Sequence, residues 1–179
     1  MVTTSGGFLD TNRICLVLGL APGMHVGDFG SGSGYFSVCA AEQVGAEGRV
    51  YAVDVQAGPL ESVAAMAQSK GLENVVPVRA NLEVPGSTNI PSDALDMVLL
   101  ANVLFQSQKK DAIVREAHRT LKSGGRLLVI DWKKGGGGGV PDELRTDAET
   151  MKKLVQEQGF RFEHDVPAGT FYFGMMFVK

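Results

Sequence analysis

Two runs of this chain, LDMVLLAN at 95–102 and RLLVIDW at 126–132, are almost wholly apolar, and an amphipathic stretch separates them. A strand with one wet face alternates apolar and polar residues, so runs this uniform must be buried on both faces. Burial on both faces requires helices above and below a parallel sheet, which makes the fold α/β. The rest of the chain repeats the scheme. β-branched and aromatic content predicts strands at 24–29 (MHVGDF), 49–55 (RVYAVDV) and 74–80 (NVVPVRA). Helices are predicted at 11–19, 35–44, 59–70 and 109–122. Pro22-Gly23 stops the first, Gly71 the third and Gly124-Gly125 the fourth, whose Ile113, Ala117 and Leu121 form one stripe. Thr146-x-x-Glu149 reads as a capping box opening a further helix to Gln158.

The pattern then changes. FRFEHDV and TFYFGMMFVK are two strands separated only by Pro167-Ala168-Gly169, too short a link for anything but a hairpin. The expected architecture is a Rossmann-like three-layer α/β sandwich, with a mostly parallel seven-stranded sheet and an antiparallel C-terminal strand. A length of 179 residues suits one domain, 1–179, with residues 1–22 as an N-terminal segment and short helix. Residues 81–94 replace a crossover helix with turns, and Gly135–Gly139 form a flexible glycine loop that is either a linker or a lid.

Composition removes several functions. A net charge of -3 gives no electrostatic footprint for a phosphate backbone, so nucleic acid is disfavoured as a partner. Cys15 and Cys39 form no CxxC and have no nearby histidine, which argues against zinc and fits a reducing compartment. The first twelve residues lack the basic and apolar regions of a secretion signal, and no apolar run could span a bilayer. A cytoplasmic location is expected.

The chemistry concentrates at Asp28-x-Gly30-x-Gly32-x-Gly34, where the first strand meets a helix. Ligands of open parallel sheets bind beyond the carboxyl ends of the strands, and glycines there let a ligand touch main chain. Twenty positions after Gly34, Asp54 ends the next strand, where a carboxylate can accept hydrogen bonds from both ribose hydroxyls. Together they predict a nucleoside-containing ligand. The spacing is G-x-G-x-G, not the G-x-G-x-x-G of dinucleotide enzymes, and no Tyr-x-x-x-Lys is present. A nicotinamide-dependent oxidoreductase is therefore disfavoured.

These residues, with GMHVGDFGSGSGYF, GRVYAVDV, LDMVLLANVLF, LKSGGRLLVIDW and the terminal hairpin, resemble the class I S-adenosylmethionine-dependent methyltransferases across nearly the whole chain. The nearest flavour is the ubiquinone/menaquinone-biosynthesis type that acts on small molecules. The resemblance implies S-adenosylmethionine as cofactor and a small-molecule methyl acceptor. It implies that Gly30, Ser31, Gly32, Gly34 and Tyr35 pass along the methionine part and the sugar. Asp54 would hold the ribose, Val55 the adenine, and Asn81 with Leu82 the adenine edge. Ala101 and Asn102 would lie by the ammonium and the reacting methyl. Asp28 would either order the loop and reach the ammonium through water, or cap loop N–H groups.

Methyl transfer from a sulfonium needs alignment and desolvation more than a protein nucleophile, so no catalytic triad is expected. Topology offers Phe8, Tyr35, Asn102, Phe105, Gln106, Asp131, Trp132 and Lys133 as the substrate wall, and places Phe171 and Tyr172 at the far end of the sheet. Candidates for proton handling are Asn102, Asp131 and His164. Asp131 would otherwise be solvated or salt-bridged, and His164 qualifies only if it faces the cleft. His25 is read as structural and His118 as solvated. No metal is expected, because Asp131 has no acidic partner after the fourth strand. The alternatives are a non-catalytic adenosylmethionine-binding protein and a protein or RNA methyltransferase. Asn102 is followed by Val-Leu-Phe rather than Pro-Pro-aromatic, which counts against a nucleobase amine. The short N-terminal segment leaves the pocket open or completed by a second copy in a homodimer.

Overall fold

The computed structural model describes residues 9–179. In chain order the elements are α1 (Thr11–Val17), β1 (His25–Phe29), α2 (Tyr35–Val44), β2 (Arg49–Asp54), α3 (Ala57–Ser69) and β3 (Val75–Arg79). They continue with β4 (Leu95–Ala101), a 3-10 turn (Leu104–Gln106), α4 (Lys110–Thr120) and β5 (Leu121–Trp132). A second 3-10 turn (Asp142–Leu144), α5 (Ala148–Glu157), β6 (Arg161–Asp165) and β7 (Tyr172–Val178) complete the chain.

The seven strands form one sheet in the order β3-β2-β1-β4-β5-β7-β6. Pairing is parallel from β3 through β5, and β7 runs antiparallel to both β5 and β6. The chain winds outward from β1 to β3, returns to β4 beside β1, and winds the other way. A constant crossover hand then sends the two sets of helices to opposite faces. On one face α1 and α2 bury Ile14, Cys15, Leu18, Phe36, Ala40 and Val44 against Val26, Leu99 and Ile130. On the other, α4 and α5 bury Ile113, Val114, Met151 and Val155 against Phe29, Val98, Val129 and Phe177. β1 and β4 are the strands where the winding reverses, so their carboxyl ends open a crevice.

Three sequence expectations are corrected. Gly124-Gly125 does not stop α4. The helix ends at Thr120, and Leu121 is already extended and paired with Leu95. The glycine pair instead makes a bulge within β5 and exchanges backbone hydrogen bonds with Lys179 (3.1 and 2.9 Å). At α5 the cap is Asp147, whose carboxylate accepts from Thr150 N at 2.9 Å and Thr150 Oγ1 at 2.6 Å; Thr146 is not the N-cap. An acceptor-only carboxylate one residue later wins over the hydroxyl. Finally, Phe171 and Tyr172 are not at the far end of the sheet. Because β7 is antiparallel, its first residue Tyr172 pairs with Trp132, the last residue of β5.

Candidate functional site

The chain leaves β1 through a tight reversal. Gly30 N and Ser31 N both donate to Val53 O on β2, at 2.7 and 2.9 Å, and Gly34 N closes the loop onto Ser31 O at 2.9 Å. Gly30 and Gly34 hold φ of +83° and +89°, a region closed to most side chains. They are also hemmed in. A Cβ on Gly30 would collide with Val103, and one on Gly34 would lie 2.7 Å from Val63 Cγ2. A Cβ on Gly32 would meet nothing within 4 Å among the described residues. All three glycines thus hold positive φ, Gly32 at +50°, and only beside the middle one is the space for a side chain empty of described residues.

Two acids flank this loop. Asp28 is buried in β1, and Ser37 Oγ of α2 donates to its Oδ2 at 2.5 Å. Burial pushes its pKa up to about 6 against the pull of the Ser37 hydrogen bonds, and the charge of Asp54 adds to the rise. Asp28 does not cap these loop N–H groups: Gly30 and Ser31 donate to Val53 O, Gly32 to Asp54 and Gly34 to Ser31 O. Asp54 Oδ2 accepts from Gly32 N at 3.1 Å and Oδ1 from Gln56 N at 2.9 Å, so one carboxylate ties the loop to the end of β2.

Beyond the strand ends lies a cleft of about 300 Å³. It brings together the sequence-predicted Gly30, Asp54, Val55, Asn81, Leu82 and Gln106. It also contains Gln56, Glu83, Val103, Ser107 and Ile113, which the sequence reading missed. Ile113 belongs to the apolar stripe of α4 and read as core. Glu83 and Ser107 meet across 24 positions of chain, with Ser107 Oγ donating to Glu83 Oε1 at 2.6 Å, and no local pattern announces such a pair. The 81–94 turns are fastened from behind by buried Glu116. It accepts from Gly86 N at 3.0 Å and Thr88 Oγ1 at 2.6 Å and pairs with Arg119 at 2.7 Å. Burial would raise the Glu116 pKa, but the hydrogen bonds from Arg119, Thr88 and Gly86 outweigh it and hold it low.

At the carboxyl end of β4, Ala101 is followed by Asn102 with φ +59°. Its N donates to Ile130 O at 2.9 Å, but among the described residues its buried Oδ1 has no partner, and neither has the buried Oγ of Ser31. Buried polar atoms are almost always satisfied, so two orphans on neighbouring strand ends mark a place for a ligand's donors. With the free space beside Gly32, the exposed Val55 beside Asp54 and the apolar Leu82, Val103 and Ile113, the residues fit an adenosyl amino acid.

The comparisons with known proteins converge on the same ligand. Residues 20–166 match the methyltransferase domain family. The chain belongs to that family. It is a class I, S-adenosylmethionine-dependent methyltransferase. Over 119 residues it is 34% identical to the ubiquinone/menaquinone biosynthesis C-methyltransferase UbiE of Shewanella sp. strain W3-18-1, covering 66% of this chain and 46% of that protein. The chain thus spans less than half the length of the curated relatives it matches. A crystal structure of an S-adenosylmethionine-dependent methyltransferase from Aquifex aeolicus superposes with TM-score 0.85 at 26% identity, covering 96% of this chain and 91% of that one. The [4+2]-cyclase SpnF shares the fold at TM-score 0.81 and 18% identity, with 99% and 87% covered.

Other expected positions of the methyltransferase do not line the cleft: Asp28, Ser31, Gly32, Gly34, Ala101 and Asn102, on or just past β1 and β4, are not among its lining residues. Tyr35, at the start of α2, is exposed. Phe105, Trp132 and Lys133 do not line it, and Phe8 lies outside the described residues. Asp131 is neither solvated nor salt-bridged. It is buried at the end of β5, where Oδ2 accepts from Phe105 N at 2.9 Å and Oδ1 from Trp132 N at 2.8 Å. Burial pushes its pKa up to about 6. His164 is exposed on the edge strand β6, with Glu163 3.6 Å away, and does not face the cleft. His118 is not solvated: it is half-buried edge-on against Phe160, ring centroids 5.1 Å apart, and burial lowers its pKa. Among the described residues no group of three or more His, Cys, Asp or Glu side chains is arranged to hold a metal.

The glycine run of the methyltransferase wraps a buried cation. Arg145 lies inside it, donating from Nη1 to Lys133 O at 2.9 Å, from Nε to Val140 O at 3.0 Å and from Nη2 to Gly138 O at 3.4 Å, with a further bond from Nη2 to Val140 O. Its guanidinium stands 5.3 Å over the Trp132 ring, which in turn packs on Tyr172 with centroids 4.4 Å apart. Gly138 has φ +92°, and a Cβ there would come 2.5 Å from the Trp132 ring. The run is a strap drawn tightly over an aromatic pair.

Proposed function

We propose that this methyltransferase moves the methyl group of S-adenosylmethionine to a small-molecule acceptor by in-line displacement. The observation that carries the reading is the joining, in one cleft, of Gly30 from the glycine loop with Asp54 and an apolar wall. Asp54 would accept from the ribose hydroxyls. Val55, Leu82 and Ile113 would cover the adenine, with Asn81 at its polar edge. Ser31 Oγ and Asn102 Oδ1 would receive the donors of the amino-acid part, and Asp28 would offset its ammonium charge from below the loop. When bound, the cofactor supplies a methyl on cationic sulfur, activated without help from the protein. The chain's part is to align acceptor and donor and to exclude water, which positioning alone can make worth about 7–11 kcal/mol. A small acceptor is supported by the likeness to a quinone-biosynthesis methyltransferase and by the net charge of -3. Residues 1–179 are taken as one domain, with the 135–139 strap beside the acceptor's approach.

Calorimetry with S-adenosylmethionine, S-adenosylhomocysteine and NAD tests the reading. Adenosyl ligands should bind near micromolar Kd, about -8 kcal/mol, and Asp54→Ala should lose most of that affinity. NAD should not bind. Binding of NAD in preference to both adenosyl compounds would remove the assignment. A screen with methyl-labelled cofactor then identifies the acceptor; transfer to protein or RNA but to no small molecule would overturn the substrate class.

A further inference from the structure

One wall of the cleft is held differently from the others. The glycine loop and the end of β2 are bonded into the sheet. The opposite wall is the 3-10 turn at Leu104–Gln106, where Val103, Gln106 and Ser107 line the cleft. Such a turn has little stability of its own: its cap is a single backbone bond, Ser107 N to Leu104 O at 3.2 Å, and no side chain caps its start. Two carboxylates grip it from opposite sides. Asp131 of β5 accepts from Phe105 N at 2.9 Å, and Glu83 of the turn after β3 accepts from Ser107 Oγ at 2.6 Å. Asp131 is buried, so water cannot replace its bond when it is lost. Lys110 of α4 is the charged side chain acting on it, and its partner across β7 is the uncharged Phe173. Both carboxylate oxygens meet backbone N–H groups. An asparagine there would offer one acceptor and turn its amide N–H toward the other donor.

We infer that Asp131 is a positioning residue: with Glu83 opposite, it fixes the 3-10 turn so that Val103, Gln106 and Ser107 meet the adenosyl cofactor. This rests on the reading of the cleft as the cofactor site. Asp131 does not line the cleft and acts through Phe105 N.

Amide hydrogen exchange in the ligand-free protein tests it, read at Phe105 in wild type, Asp131→Asn and Glu83→Gln. At pH 7, Asp131→Asn should exchange Phe105 at least tenfold faster while Gly30 and Ser31, bonded to Val53 O, keep their rates. Below pH 6 the wild-type Phe105 rate, corrected for intrinsic exchange, should approach that of the variant. S-adenosylmethionine should bind about tenfold more weakly to Asp131→Asn, and Glu83→Gln should weaken it less. An unchanged Phe105 rate at pH 7 overturns the inference. Should exchange rise throughout the variant, the wild-type pH series decides, and a Phe105 rate that ignores pH between 5 and 7 overturns it equally. A wild type that does not bind S-adenosylmethionine would sink the proposed function, while the exchange data would still judge Asp131.

Discussion

Asp28→Asn should stabilise this protein at neutral pH and weaken its hold on the cofactor. Burial raises the Asp28 pKa from an ordinary 3.8 to about 6. A carboxyl raised in the folded state contributes stability that is fully present below its unfolded pKa. That contribution is lost as pH climbs through the folded pKa. Roughly two pH units at about 1.4 kcal/mol each make the loss about 3 kcal/mol by pH 7.5. Asp131, also raised to about 6, adds a second loss of similar size. The carboxylates held low, Asp96 and Glu116 among them, act in the opposite sense at lower pH, and His118, whose pKa burial lowers from 6.5, also opposes the raised pair as pH falls below 6.5. Asparagine keeps an acceptor for Ser37 Oγ and carries no charge to bury. Urea unfolding at pH 4.5, 6 and 7.5 should show Asp28→Asn overtaking wild type as pH rises, by about 1–3 kcal/mol at pH 7.5, with a shallower pH slope than wild type. Cofactor affinity should move the other way, since an ammonium gains from the ionised form. A stability difference identical at all three pH values would refute the reasoning.

Two further outcomes follow from the glycines and the strap. Gly34→Ala, at φ +89° and pressed on Val63, should lose about 2 kcal/mol or more of stability and most cofactor affinity, measured by thermal unfolding and calorimetry. Trp132 is the chain's one tryptophan, so its emission reports on the strap. Arg145→Met should redshift it and make 133–140 a site of limited proteolysis, and unchanged emission would show that the guanidinium does not hold the strap.

The parallel sheet, the closing hairpin and the glycine loop with Asp54 were legible because each is written in local pattern. Buried strands must be apolar, and a backbone with φ near +85° must be glycine. What escaped is non-local. The Asp131 carboxylate looked solvated because sequence does not show that Phe105 N, 26 positions away, turns toward it. Ile113 read as part of an apolar helix stripe, and Val103 drew no site reading, because cleft wall and core are made of the same side chains. Arg145 gave no signal, since its partners are carbonyl oxygens, which every residue supplies.

The cleft lies past the carboxyl ends of β1 and β4, strands that pair side by side, Asp28 with Leu99, though 71 positions separate them in the chain. A ligand seated there touches both halves of the polypeptide at their seam and behaves as a clasp. Saturation at a hundredfold excess over Kd should raise the free energy of unfolding by about 2.7 kcal/mol, so a melting-temperature screen can sort donor analogues before any acceptor is known.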